Sequence, residues 1–351
     1  MKRIAILSKN LKVGGIQRSL INFLNLIDYS KYQVDCYLYE KEIFYHEQIN
    51  KNVNLIFLKP RPKLIKFIPF TIVKQFSKCR LENKKYDFVI DYDGYQTDTA
   101  VDAILSSSKT KICWIHQNYL MKAKEEIKYR ILHFFMKGKY KYYDRFVAVS
   151  RGVIEPFEIL NKIKINEKCI VIPNYIDTSI IFERAKEPCD LEVDNTKYNF
   201  VSVGRICKAK GYDILINYLF ELTKYRKDFH FYLIGDGVER SRIEKQINDL
   251  HMNDYITLLG NQSNPFKYLK LMDGFILTSR YEGQGMAWWE AKSLGLELFM
   301  TKNLEQYNDG LVGYDDLLEA LKNAKKRDKE KDDLKTYNNN IKNKIEKLLG
   351  E

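Results

Sequence analysis

Short apolar, β-prone runs recur along the first half of the chain at 3–8, 33–39, 53–58, 87–91, 111–115 and 146–150, with helical segments between them. That alternation predicts a parallel sheet covered by helices. Ser150 is placed to cap the helix after the last of these runs. A second series begins at Phe200–Val203 and continues through Phe231–Ile234, Ile256–Leu259, Gly274–Thr278 and Leu298–Thr301. The helical pattern from Ala287 to Leu294 stops at Gly295, and Tyr314 to Leu349 reads as two charged helices. Between the two series, Arg184 to Thr196 is polar and contains Pro188, as a linker would. The expected division is 1–180, a linker at 181–196, a second domain at 197–330, and a last helix at 331–351 that crosses back onto the first domain.

Composition narrows this picture. A chain of 351 residues with 45% apolar and 13% aromatic side chains can bury two ordinary cores. No apolar run is long enough to span a bilayer, and Met1–Ser8 reads as a first strand rather than a leader. The six cysteines are scattered without a C-x-x-C pair, which suits free thiols in a reducing cytoplasm. The formal charge of +12 calls for an anionic partner.

Candidate chemistry sits at strand ends. After the strand Gly274–Thr278 comes Ser279-Arg280-Tyr281-Glu282-Gly283-Gln284-Gly285-Met286, a glycine-bearing loop opening a helix. Free N–H groups and the positive dipole end there favour a phosphate or an electron-rich hydroxyl. Glu282 in the loop and Glu290 eight residues on offer carboxylates to vicinal hydroxyls, a sugar near the first and a ribose near the second. Arg205 follows Gly204 at another strand end, and Lys210 stands five residues later before Gly211; a planar fork and a point charge can both reach one diphosphate. Gly14 and Gly15 form a strand-to-helix loop that reads as a phosphate approach or as an ordinary tight turn. His116 closes an apolar strand, where such a residue serves as a site group or as a structural one. Asp91-Tyr92-Asp93 has the spacing of a D-x-D metal motif, but the second domain with its own signatures favours a strand-end loop lining a cleft.

Taken together, the Glu282/Glu290 pair, Gly204-Arg205 with Lys210-Gly211, the Gly14-Gly15 loop, His116, Gly235-Asp236-Gly237 and Val171–Asp177 resemble, in order, the family-four retaining glycosyltransferases. Trp288, Trp289 and Glu297 depart from that family, which usually has small or aliphatic residues and a proline there. The resemblance implies an α/β fold of the GT-B type, two Rossmann-like domains facing a central cleft. It implies sugar transfer from a nucleotide-sugar, a UDP-sugar favoured, to an acceptor hydroxyl, with retention and with no metal or other cofactor. Arg205 and Lys210 would hold the diphosphate, helped by backbone N–H at Gly14 and Gly15. Glu282 with the N–H groups of Gly283, Gln284, Gly285 and Met286 would hold the donor sugar, and Glu290 the ribose. Gln262 lies in the loop expected to hold the base, and His116 would sit near the anomeric centre or the sugar 6-position.

Two stretches interleave lysine with bulky apolar residues: Lys59–Phe70, continued by Lys74, Lys78, Arg80, Lys84 and Lys85, and Lys122–Arg145. They suit peripheral contact with anionic lipid at the inner face of the plasma membrane, each cation contributing ~1 kcal/mol, and they suit a solvated face equally. The membrane reading implies a lipid-linked or glycan acceptor in surface polysaccharide or glycolipid assembly. No nucleic-acid recognition module is visible. A nucleotide-sugar 2-epimerase and a non-catalytic nucleotide-sugar- or membrane-binding protein are the rival readings; retention of both carboxylates and both cations argues against the latter.

Overall fold

The structure is a computed structural model describing residues 1–350 except 13, 45, 83, 84 and 309. Val13 of the first glycine loop and Lys84 of the basic stretch therefore lie outside the described residues, as does Glu351. The chain divides into two compact units. Unit 1 comprises Met1–Tyr175 with Asn339–Glu351, and unit 2 comprises Ile176–Asn338.

Unit 1 carries seven described strands: β1 (Lys2–Ser8), β2 (Tyr32–Leu38), β3 (Asn54–Phe57), β4 (Tyr86–Asp91), β5 (Ser108–Ile115), β6 (Arg145–Ala148) and β7 (Cys169–Val171). They lie in the order β3-β2-β1-β4-β5-β6-β7, every pairing parallel. Burial on both faces explains their continuous apolar runs: Ile4, Ile6, Val34, Val89, Ile112 and Val147 are wholly inaccessible. Strand β7 was not expected. It has three half-buried residues at the sheet edge, too few for a periodic signal. Ser150 makes no capping bond; a short 3₁₀ turn, Arg151–Val153, intervenes and the helix starts at Ile154.

Unit 2 carries five: β8 (Tyr198–Val203), β9 (Phe229–Ile234), β10 (Ile256–Gly260), β11 (Gly274–Leu277) and β12 (Glu297–Met300). Their order is β10-β9-β8-β11-β12, again parallel throughout. Phe200 anchors the core, with its ring edge-on to those of Phe229 and Phe299. Part of the expected linker is ordered helix, Thr178–Ala185, N-capped by Asp177. The break between units falls at Tyr175/Ile176 rather than at 180, and the last helix, Lys335–Gly350, begins in unit 2 and ends in unit 1.

In each sheet the strand order reverses once, between β1 and β4 and between β8 and β11. Loops leaving the carboxyl ends of such neighbours open a crevice, the usual ligand position in a sheet of this kind. The loop after β8 carries Arg205 and Lys210, and the loop after β11 carries Glu282 through Gly285. Gly211 makes their close approach possible. Its φ is 65°, an added Cβ would overlap the Thr278 carbonyl oxygen, and the Thr278 hydroxyl donates to the Gly211 carbonyl oxygen at 3.1 Å. Gly211→Ala is expected to cost at least about 1–2 kcal/mol from backbone strain alone. It should lower the melting temperature and, by parting the two loops, weaken any ligand held by Lys210.

Candidate functional site

The centre of the unit 2 site is an ion pair that sequence reading did not foresee. Lys210 Nζ lies 2.7 Å from Glu282 Oε1, and the Ser279 hydroxyl donates to the same oxygen at 2.6 Å. Glu282 is only 9% exposed and Ser279 1%, whereas the Lys210 side chain keeps 25% of its surface. Arg205 is exposed on the same loop. Gly204, beside it, has no room for a side chain: a Cβ there would lie 2.9 Å from the Tyr212 hydroxyl and 3.4 Å from Lys210 Cε. The turn after β9 closes just as tightly, since Cβ atoms at Gly235 and Gly237 would overlap the carbonyl oxygens of Gly204 and Ile206.

Arg280 joins the two loops, a role its place in the motif did not reveal. Its backbone N–H donates to Ala209 O at 2.8 Å, its guanidinium to Lys208 O at 2.9 Å, and it grips Asp213 through two bonds of 2.8 and 2.7 Å. That fork holds the Asp213 carboxyl below its ordinary range. Asn308, fully buried, was also missed: its Oδ1 accepts from Gly285 N–H at 3.3 Å. One of the amides assigned to a ligand is thus engaged internally. Gln284 donates to the Tyr337 hydroxyl at 2.6 Å, and Gln262 donates to Leu259 O at 2.7 Å while accepting from the Tyr268 hydroxyl at 3.0 Å. Both amide side chains act first as braces of their own loops. Gly283 is buried in the loop, and Met286 and Glu290 are half-buried on the helix Met286–Ser293.

The three departures from the family pattern have physical partners. Trp288 is buried edge-on to Phe275, and Trp289 stacks on Tyr337 with ring centroids 4.2 Å apart. Glu297 accepts from the Tyr198 hydroxyl at 2.8 Å and gives its N–H to Asp273 O, a bond a proline could not make.

In unit 1, His116 is 7% exposed and burial drives its pKa down to about 3, so the ring is neutral at physiological pH. One ring nitrogen bonds the Tyr92 backbone, and Nε2 is buried without a partner among the described residues. Gly14 has an extended φ of 167°, and a Cβ on Gly15 would meet nothing within 4 Å. A Cβ on Gly14 would overlap the side-chain oxygen of Gln17, so the open space lies beside Gly15 and not beside Gly14.

Asp91 and Asp93 are not lining residues. Both are buried: Asp91 accepts from the Tyr143 hydroxyl (2.5 Å) and Gly94 N–H (3.1 Å), and Asp93 from Lys9 N–H (2.5 Å) and the Ser8 hydroxyl (3.2 Å). Lys139, 1% exposed, compensates electrostatically for Asp91 and donates to Gln96 O at 3.0 Å. Burial pushes Asp93 up to about 7, from an ordinary 3.8. The folded state therefore holds this proton more tightly than the unfolded chain. Its contribution to stability is intact below about pH 4 and is lost progressively as pH rises to 7. Asp93→Asn is expected to gain stability relative to the parent as pH rises through that window; urea unfolding at pH 5 and pH 8 measures the difference.

The basic stretches divide in the fold. Arg61 and Arg80 pair with the buried Asp102 at 2.6 and 3.0 Å, the Arg61 side chain itself buried and that of Arg80 partly exposed. Leu64, Phe67, Ile72, Phe76, Ile127, Ile131 and Phe134 remain exposed, with Lys66, Lys74 and Lys137 about them, and Phe67 meets Phe135 edge-on at 6.2 Å. Among the described residues no helix is long and apolar enough to cross a membrane.

Comparison with known proteins places this geometry in context. The family model described as glycosyl transferases group 1 matches residues 183–308. An uncharacterized glycosyltransferase of Methanocaldococcus jannaschii is 27% identical over 66% of this chain, and the match spans 60% of that relative. The N-acetylgalactosamine-N,N'-diacetylbacillosaminyl-diphospho-undecaprenol 4-alpha-N-acetylgalactosaminyltransferase of Campylobacter jejuni is 26% identical over 81% of this chain and 76% of its own. Among solved structures, Anabaena HepE with UDP-glucose superposes with a TM-score of 0.61 at 15% identity, covering 99% of this chain and 91% of that one. Staphylococcus aureus TarM with UDP superposes at 0.63 and 12% identity, covering 99% and 97%. At these identities the structural likeness is one of fold.

Proposed function

The chain belongs to the group 1 glycosyl transferases with the GT-B fold, and from that premise we propose that it moves a sugar from a nucleotide-sugar, a UDP-sugar by preference, to an acceptor hydroxyl with retention of anomeric configuration. The observation that carries the reading is the Lys210–Glu282 pair at the strand-order reversal of unit 2, with Arg205 on the same loop. A diphosphate meeting this loop finds the partly exposed Lys210 and the exposed Arg205 guanidinium. Both stabilise the charge that grows on a leaving diphosphate, so no metal is required by this scheme. Glu282, already fixed by Ser279, accepts from sugar hydroxyls, and Glu290 from ribose. On unit 1, the backbone carbonyl of Tyr92 takes the Nδ1 proton of His116, leaving Nε2 as an acceptor for a sugar hydroxyl. Gly15 offers open backbone, and Gly14 a backbone beside the Gln17 side chain.

The Campylobacter relative acts, by its name, on a diphospho-undecaprenol-linked sugar. A lipid-linked acceptor of this sort, met at a membrane surface through the exposed Phe67, Phe76 and Phe134 and their lysines, accords with the apolar and basic surface of unit 1. The test is a thermal-shift and calorimetric panel of UDP-, GDP- and ADP-sugars in EDTA. It is followed by NMR assignment of the product anomer. Binding of one donor in EDTA with a retained anomer supports the reading. No binding of any nucleotide-sugar removes it.

A further inference from the structure

The last part of unit 2 runs along the helix that carries Glu290. Residues 324–334 have no regular secondary structure and lead into the helix Lys335–Gly350. This strap is fastened first at the far end of the helix Met286–Ser293. There Asp332 gives its N–H to Ser293 O at 3.0 Å, and its carboxylate accepts from the Lys292 ammonium at 2.5 Å. Two residues on, Leu334 is buried with a φ of 50°, a backbone conformation that leucine rarely adopts. The chain turns there into its last helix. Asn338 holds the other side of the turn, its side chain accepting from Ile176 N–H at 3.3 Å and donating to Ile176 O at 2.9 Å. Between these anchors stands Tyr337.

Tyr337 meets the glycine-bearing loop and the helix after it at the same time. Its hydroxyl accepts from Gln284 Nε2 at 2.6 Å, and its ring stacks on Trp289 with 24° between the planes. Trp289 is buried, and its Nε1 has no partner among the described residues, so the indole is not held through its N–H. An aliphatic residue would bury as well and strand no donor. What the indole adds is a flat face for Tyr337. Gln284 stands between Gly283 and Gly285, which lend the loop little stiffness of their own. Asn308 fixes the Gly285 N–H, and the bond to Tyr337 fixes the side chain next to it.

We propose that Tyr337 is a positioning residue for the sugar end of the donor. It acts through Gln284: by holding that side chain it sets the direction of the N–H groups around it, while the stack on Trp289 keeps Tyr337 in place. The proposal rests on the transferase reading for the identity of the ligand. The diphosphate end, assigned to Arg205 and Lys210 on another loop, does not depend on this contact. A residue 53 positions from the loop therefore tunes how well the sugar is held and leaves the nucleotide alone.

The experiment compares the full-chain parent with Tyr337→Phe, Gln284→Leu and the double variant. Calorimetry measures binding of the nucleotide-sugar found in the panel above and of its sugar-free nucleoside diphosphate. Tyr337→Phe keeps the stack and deletes the acceptor. It should weaken the nucleotide-sugar by about threefold to tenfold, leave the nucleoside diphosphate unchanged, and keep the melting temperature close to the parent's. Amide exchange across Gly283–Met286, followed by mass spectrometry on the free protein, should be faster. Gln284→Leu should weaken the nucleotide-sugar to a similar degree, and the double variant should be no worse than either single one. Equal weakening of both ligands would make Tyr337 a mere support of the fold and overturn the proposal. Additive losses in the double variant would overturn it too, because Tyr337 would not be acting through Gln284. A parent that binds no nucleotide-sugar would remove the transferase reading and this assignment with it. A parent that binds one, with an affinity that Tyr337→Phe does not change, would overturn this assignment alone.

Discussion

Lys210→Ala is expected to lower turnover by about 10²- to 10³-fold, the cost of deleting one fixed group that stabilises charge in a transition state. The nucleotide-sugar Kd should rise with it, since the ammonium is the better placed of the two cations: it is anchored by Glu282 at 2.7 Å, while Arg205 is exposed. The same substitution leaves a 9% exposed carboxylate with the Ser279 hydroxyl as its remaining side-chain donor among the described residues. Some loss of stability must therefore accompany the loss of activity, of order 1–3 kcal/mol for a partly buried pair. The two effects separate in a cycle. The double variant Lys210→Ala with Glu282→Gln removes the stranded charge, so it should recover melting temperature without recovering turnover. Turnover restored in the double variant would mean that Lys210 acts only by neutralising Glu282.

Glu282→Gln carries the second large effect, about 10²-fold in kcat/KM with the donor. Glutamine keeps the volume, and its carbonyl oxygen can still accept from Ser279. What it lacks is the charge that draws sugar hydroxyls and restrains Lys210. Binding of the sugar-free nucleoside diphosphate should therefore hold or tighten, because the lysine no longer shares its charge, while binding of the full nucleotide-sugar weakens. Equal weakening of both ligands would reduce Glu282 to a support for the loop. Calorimetry with UDP and with the donor found in the nucleotide-sugar panel distinguishes these cases.

Much of the architecture was legible because a strand buried on both faces writes itself as an uninterrupted apolar run. Eleven of the strands carried an apolar run, even β3, whose residues are half-buried or exposed, and the glycines and cations at their ends marked the loops that matter. β7, with three half-buried residues, wrote no such signal. The site was legible as a set of residue types and illegible as a set of bonds. Lys210 and Glu282 lie 72 positions apart, and only the reversal of strand order between β8 and β11 brings their loops together. Gln284 is named from the sequence for its backbone N–H and Gln262 for its loop, readings that say nothing of either side chain. Their hydrogen bonds to Tyr268 and Tyr337 depend on partners that no local pattern reveals. Asp91 and Asp93 show the converse: a spacing that suggests metal proved to be two carboxylates satisfied by the core. Arg61 and Arg80 likewise added to a basic surface in the sequence and are spent on Asp102 in the fold.

The split of unit 1 has a consequence for the order in which the protein is made. Its first 175 residues leave the ribosome before any of unit 2, yet its last piece, Asn339 onward, comes only after unit 2 is finished. That piece is not ornamental: Ile341, Ile345, Leu348 and Leu349 are buried, and the carbonyls of Leu349 and Gly350 receive the Lys2 ammonium at 3.1 and 2.8 Å. The apolar groove at Phe23 and Leu26, which Ile341 and Ile345 help to line, therefore lacks those partners throughout synthesis of the later unit. Unit 2, a single stretch whose ends are joined by bonds between the Ile176 backbone and the Asn338 side chain, can close first. The earlier-born unit is the later one completed, and a nascent chain stalled anywhere in unit 2 presents that groove to chaperones rather than to its own last helix.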